Sequence, residues 1–404
     1  MHACGIGSHG KDSGMRNTRH KALALLLVAA VAATGMLAGC SAKTEADSGT
    51  EPAKQTTVKI GFAAPLTGDN AVYGEGMKRA VEMAIEEANA SDEVKAAGYT
   101  YEISAQDDQA DPKQAVNVAN LLDGDAGVVA LVGHFNSGCS IPASAVYERA
   151  GLAMVSVSSN PQLTAQGFAV VNRIVAKDDA QGTFAADLVY DTLGYKKVAV
   201  LDDSTPYGTG LATEFVKRFK EKGGEVVVQE KVQSKEVDFS AVVTRVKAAA
   251  PQALYYGGAH TEGALIAKQA KEAGLNIPVI GGDMLFSPEY IKIARAENAE
   301  GDICTSLGLP LDQQPKGTEF KAAYNEKYGK DPEAYDSYAY DSAWIIIKAV
   351  LEAGPDRAAV ATAIRGLSYD GVTGTTSFDA NGDTKNQAIS AYRVTGGEWK
   401  QIVE

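Results

Sequence analysis

Short apolar runs recur along this chain, each followed by a polar loop and then by a stretch of helical period, and that alternation constrains the fold more than any other feature. Residues 58–64, 101–106, 128–133, 153–157, 197–201, 225–230, 253–256 and 279–280 read as strands. The apolar ones lack the polar alternation of a half-wet strand, so they suit a sheet covered on both faces. Between the first two runs, Met77, Ala80, Val81, Ala84, Ile85 and Ala88 fall on one stripe of a helix. Further helices are predicted over 111–122, 141–149, 210–222, 239–248 and 262–273. Strands alternating with helices of this length predict an α/β fold with parallel sheets and right-handed crossovers.

An internal echo predicts two such units. From Val58 the chain runs strand, loop, Tyr73-Gly74-Glu75-Gly76, helix; from Lys197 it runs strand, loop, Tyr207-Gly208-Thr209-Gly210, helix. Each reads as the opening βα unit of its own sheet. Ligands of open α/β sheets bind beyond the carboxyl ends of the strands, so two facing sheets place Tyr73 and Tyr207 on opposite walls of one cleft. The alternative is that each tyrosine packs under its own loop. At 404 residues the chain is also too long for one ordinary core.

The amino terminus carries Arg16, Arg19 and Lys21, then an apolar stretch, then Leu37-Ala38-Gly39-Cys40. That is a leader (residues 1–39) closing in a lipobox, with an apolar run too short to read as a membrane span. It predicts cleavage before a diacylglyceryl-modified Cys40, and two acyl chains hold a protein at a bilayer where one does not. An ordinary leader with an incidental cysteine is the alternative, and Met15 is a second candidate start. Residues 40–56 read as a polar tether. The protein is therefore expected outside the cytoplasmic membrane and lipid-anchored, at its outer face or in a periplasm.

The formal net charge of −13 grows more negative once this basic leader is removed, which disfavours nucleic acid and anionic membrane surfaces as partners. Beyond Cys40 only Cys139 and Cys304 remain, with no CxxC, and His134 and His260 are the only histidines of the body. Metal-cluster and dithiol readings are poor on that count, and whether the two cysteines pair is left open. GxSxG, GxxxxGK[ST] and HExxH are absent, and both GxG stretches lack the third glycine of a dinucleotide fingerprint. Cys139 with His134 could be imagined as nucleophile and base, but five residues of loop seldom aim both groups. The chain is read as a non-enzyme without cofactor or metal.

Polar strand ends suggest a ligand site instead. The loop from Gly133 through Ser140 leads into a helix expected at Ile141, with Pro142 suited to its first turn. Backbone N–H groups there, with the Ser137 hydroxyl, suit a carboxylate or phosphate. Ser156 through Pro161 offers a second polar set, and Gly281-Gly282-Asp283 ends a strand with one carboxylate. Neutral donors on one side and an acid on the other suit a zwitterion; helix capping and a turn are the plainer account of the same residues.

From about Thr57 onward the chain resembles the branched-chain amino-acid binding proteins of ABC transporters, with the two-lobed type I periplasmic binding fold. The resemblance is carried by residues 60–68 (IGFAAPLTG), 107–116 (DDQADPKQAV), the Gly133-His134 loop, Asn160-Pro161, Tyr207-Gly208, Asp238-Phe239-Ser240 and 255–258 (YYGG). It implies that Ser137 and Ser159 hold a ligand α-carboxylate, and that the ammonium meets the Ser158 carbonyl, the Ser159 hydroxyl and Asp283. Tyr73, Phe135 and Tyr207 would line the cleft, joined by Tyr335 or Tyr338. It implies three hinge crossings, near Lys177, Leu307 and Gln387, with residues 57–177 plus 308–387 in lobe 1 and 178–307 plus 388–404 in lobe 2. It also implies a monomeric solute receptor that closes over an amino acid and delivers it to a membrane permease. Four departures bear on the ligand. Ala110 and Asn136 stand where the family has a disulfide, Asp283 replaces a longer glutamate, and Ala259 replaces a tyrosine that contacts the ligand. "Amino acid" is therefore better supported than "branched-chain", and a non-amino-acid solute such as an aromatic carboxylate or small amide is the rival.

Overall fold

Strand β1 (Thr56–Ala64) opens the part of the chain that the computed structural model describes, residues 55–403. The leader and Cys40 lie outside those residues. Thr56 already pairs with Tyr99, so the first strand begins inside the stretch read as tether. With β2 (Tyr99–Asp107), β3 (Val128–Gly133), β4 (Ala153–Ser156) and β5 (Val171–Arg173) it forms a parallel sheet in the order β2-β1-β3-β4-β5. Every residue of β3 and β4 is buried, as expected for strands covered on both faces. The stripe on helix Ala71–Ala90 faces that sheet, with Met77, Ala80, Val81, Ala84 and Ala88 fully buried.

A second sheet takes β6 (Lys197–Asp202), β7 (Glu225–Lys231), β8 (Ala253–Gly257), β9 (Val279–Gly281) and β10 (Ile303–Leu307). A hairpin of β11 (Ser368–Gly371) and β12 (Gly374–Ser377) stands apart, and β13 (Ile389–Thr395) and β14 (Glu398–Val403) complete the second sheet beside β10. The sheets are mostly parallel, as expected, with two strands added in the other sense: β13 runs antiparallel to β10, and β14 antiparallel to β13. Antiparallel neighbours need only a short turn, which Gly396-Gly397 supplies. The chain thus passes between the sheets three times. It leaves the first after β5, returns after β10 to add helices Gly317–Tyr328, Asp336–Ala353 and Arg357–Gly366, and leaves again for β13.

Two helices begin a full turn earlier than predicted. Ser137–Ala150 starts at Ser137 rather than Ile141, placing Pro142 inside the helix, and Pro206–Glu221 starts at Pro206 rather than Gly210. Both first turns are polar and glycine-bearing, so no apolar period announces them. The second start has a capping mechanism: Pro206 occupies the first turn and the Thr205 hydroxyl accepts from the Gly208 N–H at 3.0 Å. At the end of β3, Gly133 has φ of +132° and a Cβ there would collide with the Ala63 carbonyl, so only glycine turns the chain out of the sheet at that point.

Arg173, at the end of β5, is fully buried. Its Nε donates to Asp383 at 2.8 Å, its Nη1 to the carbonyls of Ser158 at 3.0 Å and Asn160 at 2.7 Å, and its Nη2 to the Thr164 hydroxyl at 2.6 Å. One guanidinium therefore ties the loop after β4 to the segment before β13. Replacing one partner of a buried, hydrogen-bonded ion pair strands the other. Arg173→Met is expected to lower the unfolding free energy by about 3 kcal/mol or more, read as a drop in the urea midpoint; a midpoint unchanged from wild type would show that the pair does not hold this junction.

Candidate ligand-binding cleft

The carboxyl ends of β3 and β4 build one wall. In the loop after β3, His134 is locked on both ring nitrogens, Nδ1 to Asp108 at 2.7 Å and Nε2 to the Tyr147 hydroxyl at 2.8 Å. The hydroxyls of Ser156 and Ser158 donate to the His134 carbonyl at 2.9 and 3.1 Å, and Ser158 also reaches the Phe135 carbonyl at 2.8 Å. These bonds fix Ser137 as the first residue of its helix, beside the loop after β4: the Asn160 N–H donates to its hydroxyl at 3.3 Å. Ser137, Ser158 and Ser159 are all buried at this junction. The Ser158 carbonyl already accepts from Arg173, leaving one lone pair for a ligand.

The facing wall comes from the second sheet. Asp283, just after β9, is 3% exposed. Its Oδ1 accepts from the Tyr207 hydroxyl at 2.8 Å, and its Oδ2 accepts from Tyr335, which belongs to the helices packed on the first sheet. Burial pushes the Asp283 carboxyl above its usual range, and the Tyr335, Tyr207 and Gln181 groups turned towards it offset part of that. Tyr73, Phe135 and Tyr335 form one aromatic cluster, with ring centroids 4.9–5.5 Å apart. Tyr73 crosses to the second lobe, donating to the Met284 carbonyl at 2.9 Å with His260 Nδ1 at 3.2 Å from its hydroxyl. Asn160 likewise donates across to the Pro206 carbonyl at 2.6 Å. The lobes are closed on one another.

Beside this junction lies a cavity of about 510 Å³ whose walls include Ser137, Tyr207, Ala259, Met284, Asp203 and Glu262. Ala259 immediately precedes helix His260–Glu272 and opens that space. The chamber is acidic. Burial pushes Asp203 up to about 6, with the neighbouring charges of Glu262 and Asp202 adding to the effect. A wider, shallower depression of about 880 Å³ at Lys177 and Asp383 contains none of these site residues.

The predicted residues Tyr73, Phe135, Ser137, Ser158, Ser159, Tyr207 and Asp283 converge, and Ala259 stands at the edge of the cavity. Of the two further tyrosines, Tyr335 joins the cluster, whereas Tyr338 turns to the Leu307 carbonyl at 3.0 Å beside a crossing. Cys139 and Cys304 are both free and buried. Burial holds the Cys139 thiol protonated, and with His134 committed to Asp108 and Tyr147 the nucleophile–base pairing does not form. Asp178, Gln181, Asp203, His260 and Glu262 were not read from the sequence. Asp178 and Gln181 follow a crossing rather than a strand, and the other three sit in helix starts and loops that carry no motif.

Residues 57–398 match the model of a family described as periplasmic binding protein. The Brucella abortus Leu/Ile/Val-binding protein homolog 2 is 39% identical over 347 residues, covering 85% of this chain and 91% of that protein. A Pseudomonas aeruginosa protein named for binding leucine, isoleucine, valine, threonine and alanine is 35% identical, covering 83% of this chain and 89% of its own length. Among solved structures, a leucine binding protein from Thermotoga maritima superposes with a TM-score of 0.80 at 30% identity, covering 86% of this chain and 98% of its own.

His260 gives closure a pH dependence. In the closed form burial depresses its pKa to about 4, with Glu289 and Asp69 pulling back; released to solvent it would titrate near the ordinary value of about 6.5. Closure thus favours the neutral ring. That contribution is intact above pH ~6.5 and is lost by up to about tenfold per pH unit as pH falls towards 4. Ligand affinity followed by calorimetry from neutral to acid pH should fall less steeply in His260→Asn than in wild type; superimposable curves would exclude His260 as a source of acid sensitivity.

Proposed function

We propose that this chain, which belongs to the periplasmic binding protein family and to its Leu/Ile/Val-binding branch, captures an L-amino acid in the cleft and presents the closed form to an ABC permease. Proteins of this family are extracytoplasmic solute receptors and not enzymes. The observation that carries the reading is the placement of Asp283 opposite the Ser137–Ser159 junction. A buried acid facing buried hydroxyls and N–H groups supports ammonium on one side and carboxylate on the other. In this reading the carboxylate docks on Ser137 and Ser159 of the first lobe. The second lobe then brings Asp283 and Tyr207 over the ammonium, expelling water. The side chain is directed towards the cavity beside Ala259. The curated relatives carry names from Leu/Ile/Val to a set that includes threonine and alanine, and the room left by Ala259 supports a range at least as broad here.

Removing one partner of a buried charge pair costs about 2 to 5 kcal/mol. Asp283→Asn is therefore expected to weaken an amino acid by about 30-fold or more while sparing the same molecule without its amino group. Ser137→Ala should weaken both. A thermal-shift screen of the refolded body against the proteinogenic amino acids, small carboxylates and amides tests the class, since ~100 times the dissociation constant adds about 2.7 kcal/mol. Response to a carboxylate or amide with silence from every amino acid would replace this reading with the rival solute class.

The same proposal includes a lipid anchor on Cys40. Cys40→Ser should move the protein from the membrane fraction to the soluble extracytoplasmic fraction and abolish labelling with radioactive palmitate. Unchanged fractionation and labelling would leave an ordinary leader as the account of residues 1–39.

A further inference from the structure

Where the chain passes from β10 back to the helices of the first sheet, a separate cavity of about 390 Å³ opens beside the crossing. It contains none of the residues assigned above to the ligand cleft. One side is the crossing itself, from Leu307 to Gln314. The second lobe supplies aromatic rings: Phe286 stacks on Tyr392 with centroids 4.1 Å apart, and Trp399 lies 6.1 Å from Phe286. The first lobe supplies Pro332, Glu333 and Ala334, just ahead of helix Asp336–Ala353. In this wall Leu309 is left 37% exposed.

Acceptors dominate the polar groups of this cavity. Gln314 is 8% exposed, and its Oε1 has no hydrogen-bond partner in the protein. Its Nε2 donates to the Leu309 carbonyl at 3.1 Å, which fixes the end of the amide that is oxygen. A buried acceptor left unpaired carries the full loss of its hydration. Asp312, Asp331 and Glu333 add carboxylates, and the one basic side chain of the wall, Lys321, is held by Asp331 at 2.9 Å. Among the described residues, Glu333 and Asp312 have no ion-pair partner. Burial pushes the Glu333 carboxyl above its usual range, with Lys330 and Arg79 pulling back. An anion is repelled here, whereas a cation gains from the carboxylates and from the faces of the aromatic rings.

We propose that this cavity is a second binding site, for a small amphipathic amine whose apolar body packs on Leu309, Phe286 and Trp399 while its ammonium reaches Glu333 and the Gln314 Oε1. Its volume falls in the range of about 300 to 1,000 Å³ that holds small organic ligands. Both walls lead to the seam between the lobes. Ala334 adjoins Tyr335, Phe286 closely follows Asp283, and Tyr335 donates to Asp283. An occupant that bridges these walls favours the arrangement in which they face each other. By linkage it tightens the cleft ligand as much as the cleft ligand tightens it. The site itself goes beyond the amino-acid reading above, and only its coupling to the cleft rests on that reading.

The chain has two tryptophans, so Trp344→Phe leaves Trp399 as the sole reporter, in the wall of the cavity. In that background, on the full mature protein, 2-phenylethylamine is expected to change the Trp399 emission saturably. The matching anion, 3-phenylpropionate, should leave it unchanged. Glu333→Gln and Gln314→Met, neither of them in the cleft, should each weaken the amine by about threefold or more. With the cleft saturated by the proteinogenic amino acid that raises the unfolding midpoint most, the amine should bind about fivefold tighter. No saturable emission change, an equal response to the anion, or an affinity untouched by both substitutions would overturn the site. Displacement of the amine by the amino acid would place it in the cleft and overturn the site as well; unchanged affinity in the saturated protein would overturn the coupling. Failure of wild type to bind any amino acid would strike the amino-acid reading alone, because the emission and substitution results decide this site without it.

Discussion

The buried guanidinium of Arg173 is the interaction on which the cleft depends. The loop after β4 presents Ser158, Ser159 and Asn160 as buried backbone, and a loop taken out of water needs partners for its carbonyls. Arg173 supplies them to two of the three, and Asp383 balances its charge. Because Arg173 ends β5 while Asp383 precedes β13, the same contact that shapes this wall of the cleft also ties together two of the segments that cross between the sheets. A planar fork of five donors can serve this many acceptors at once; a lysine in its place could not.

Closure is written into the seam by groups that reach across it. Tyr335 and Tyr207 approach Asp283 from opposite lobes, and Tyr73 reaches the Met284 carbonyl. Each hydroxyl sits at the end of a rigid ring packed in the aromatic cluster or on its own helix, so little rotamer entropy opposes the contact. The Tyr335–Asp283 and Tyr73–Met284 bonds join residues of different lobes and need the lobes together, whereas Tyr207 and Asp283 belong to the same lobe. The two crossing bonds give the second lobe a defined stopping point, and Asp283 accepts one of them beside the bond from Tyr207 of its own lobe.

Much of this was legible in the sequence because it follows from period and spacing. The eight predicted strands are all present, and β3 has the bounds that were read. The strands missed have physical reasons: β5 is three residues long and contains Asn172 and Arg173, β10 and β13 interrupt their apolar residues with Thr305-Ser306 and with Ser390 and Arg393, β11 and β12 are four residues each, and β14, at the edge of the sheet, carries Glu398 and Lys400. Helix starts at Ser137 and Pro206 were hidden because small polar residues carry no hydrophobic stripe. Site residues at strand ends were accessible through the rule that ligands meet the carboxyl edge of a parallel sheet. Asp178, Gln181 and His260 were not, since their positions at the cleft arise from contacts between distant segments, and no local pattern encodes which distant segment a helix start will face.

Asp178, Asp283, Asp203 and Glu262 all ride with the second lobe and are all buried in the closed form. Several carboxylates of that lobe are thus out of water together, and burial pushes every one of them towards its neutral form. A ligand shifts a conformational equilibrium only by the difference in its affinity for the two states. On the proposed reading, a ligand that brings a positive charge to Asp283 gains more from it in a closed, dry cleft than in an open, hydrated one. Selectivity for an ammonium and the drive to close are then one interaction. On the same reading, side-chain choice is a separate matter that falls to the cavity beside Ala259. Such a separation would let a cleft of this kind change its range of ligands by substitution at position 259 while the contacts of Asp283 stay as they are.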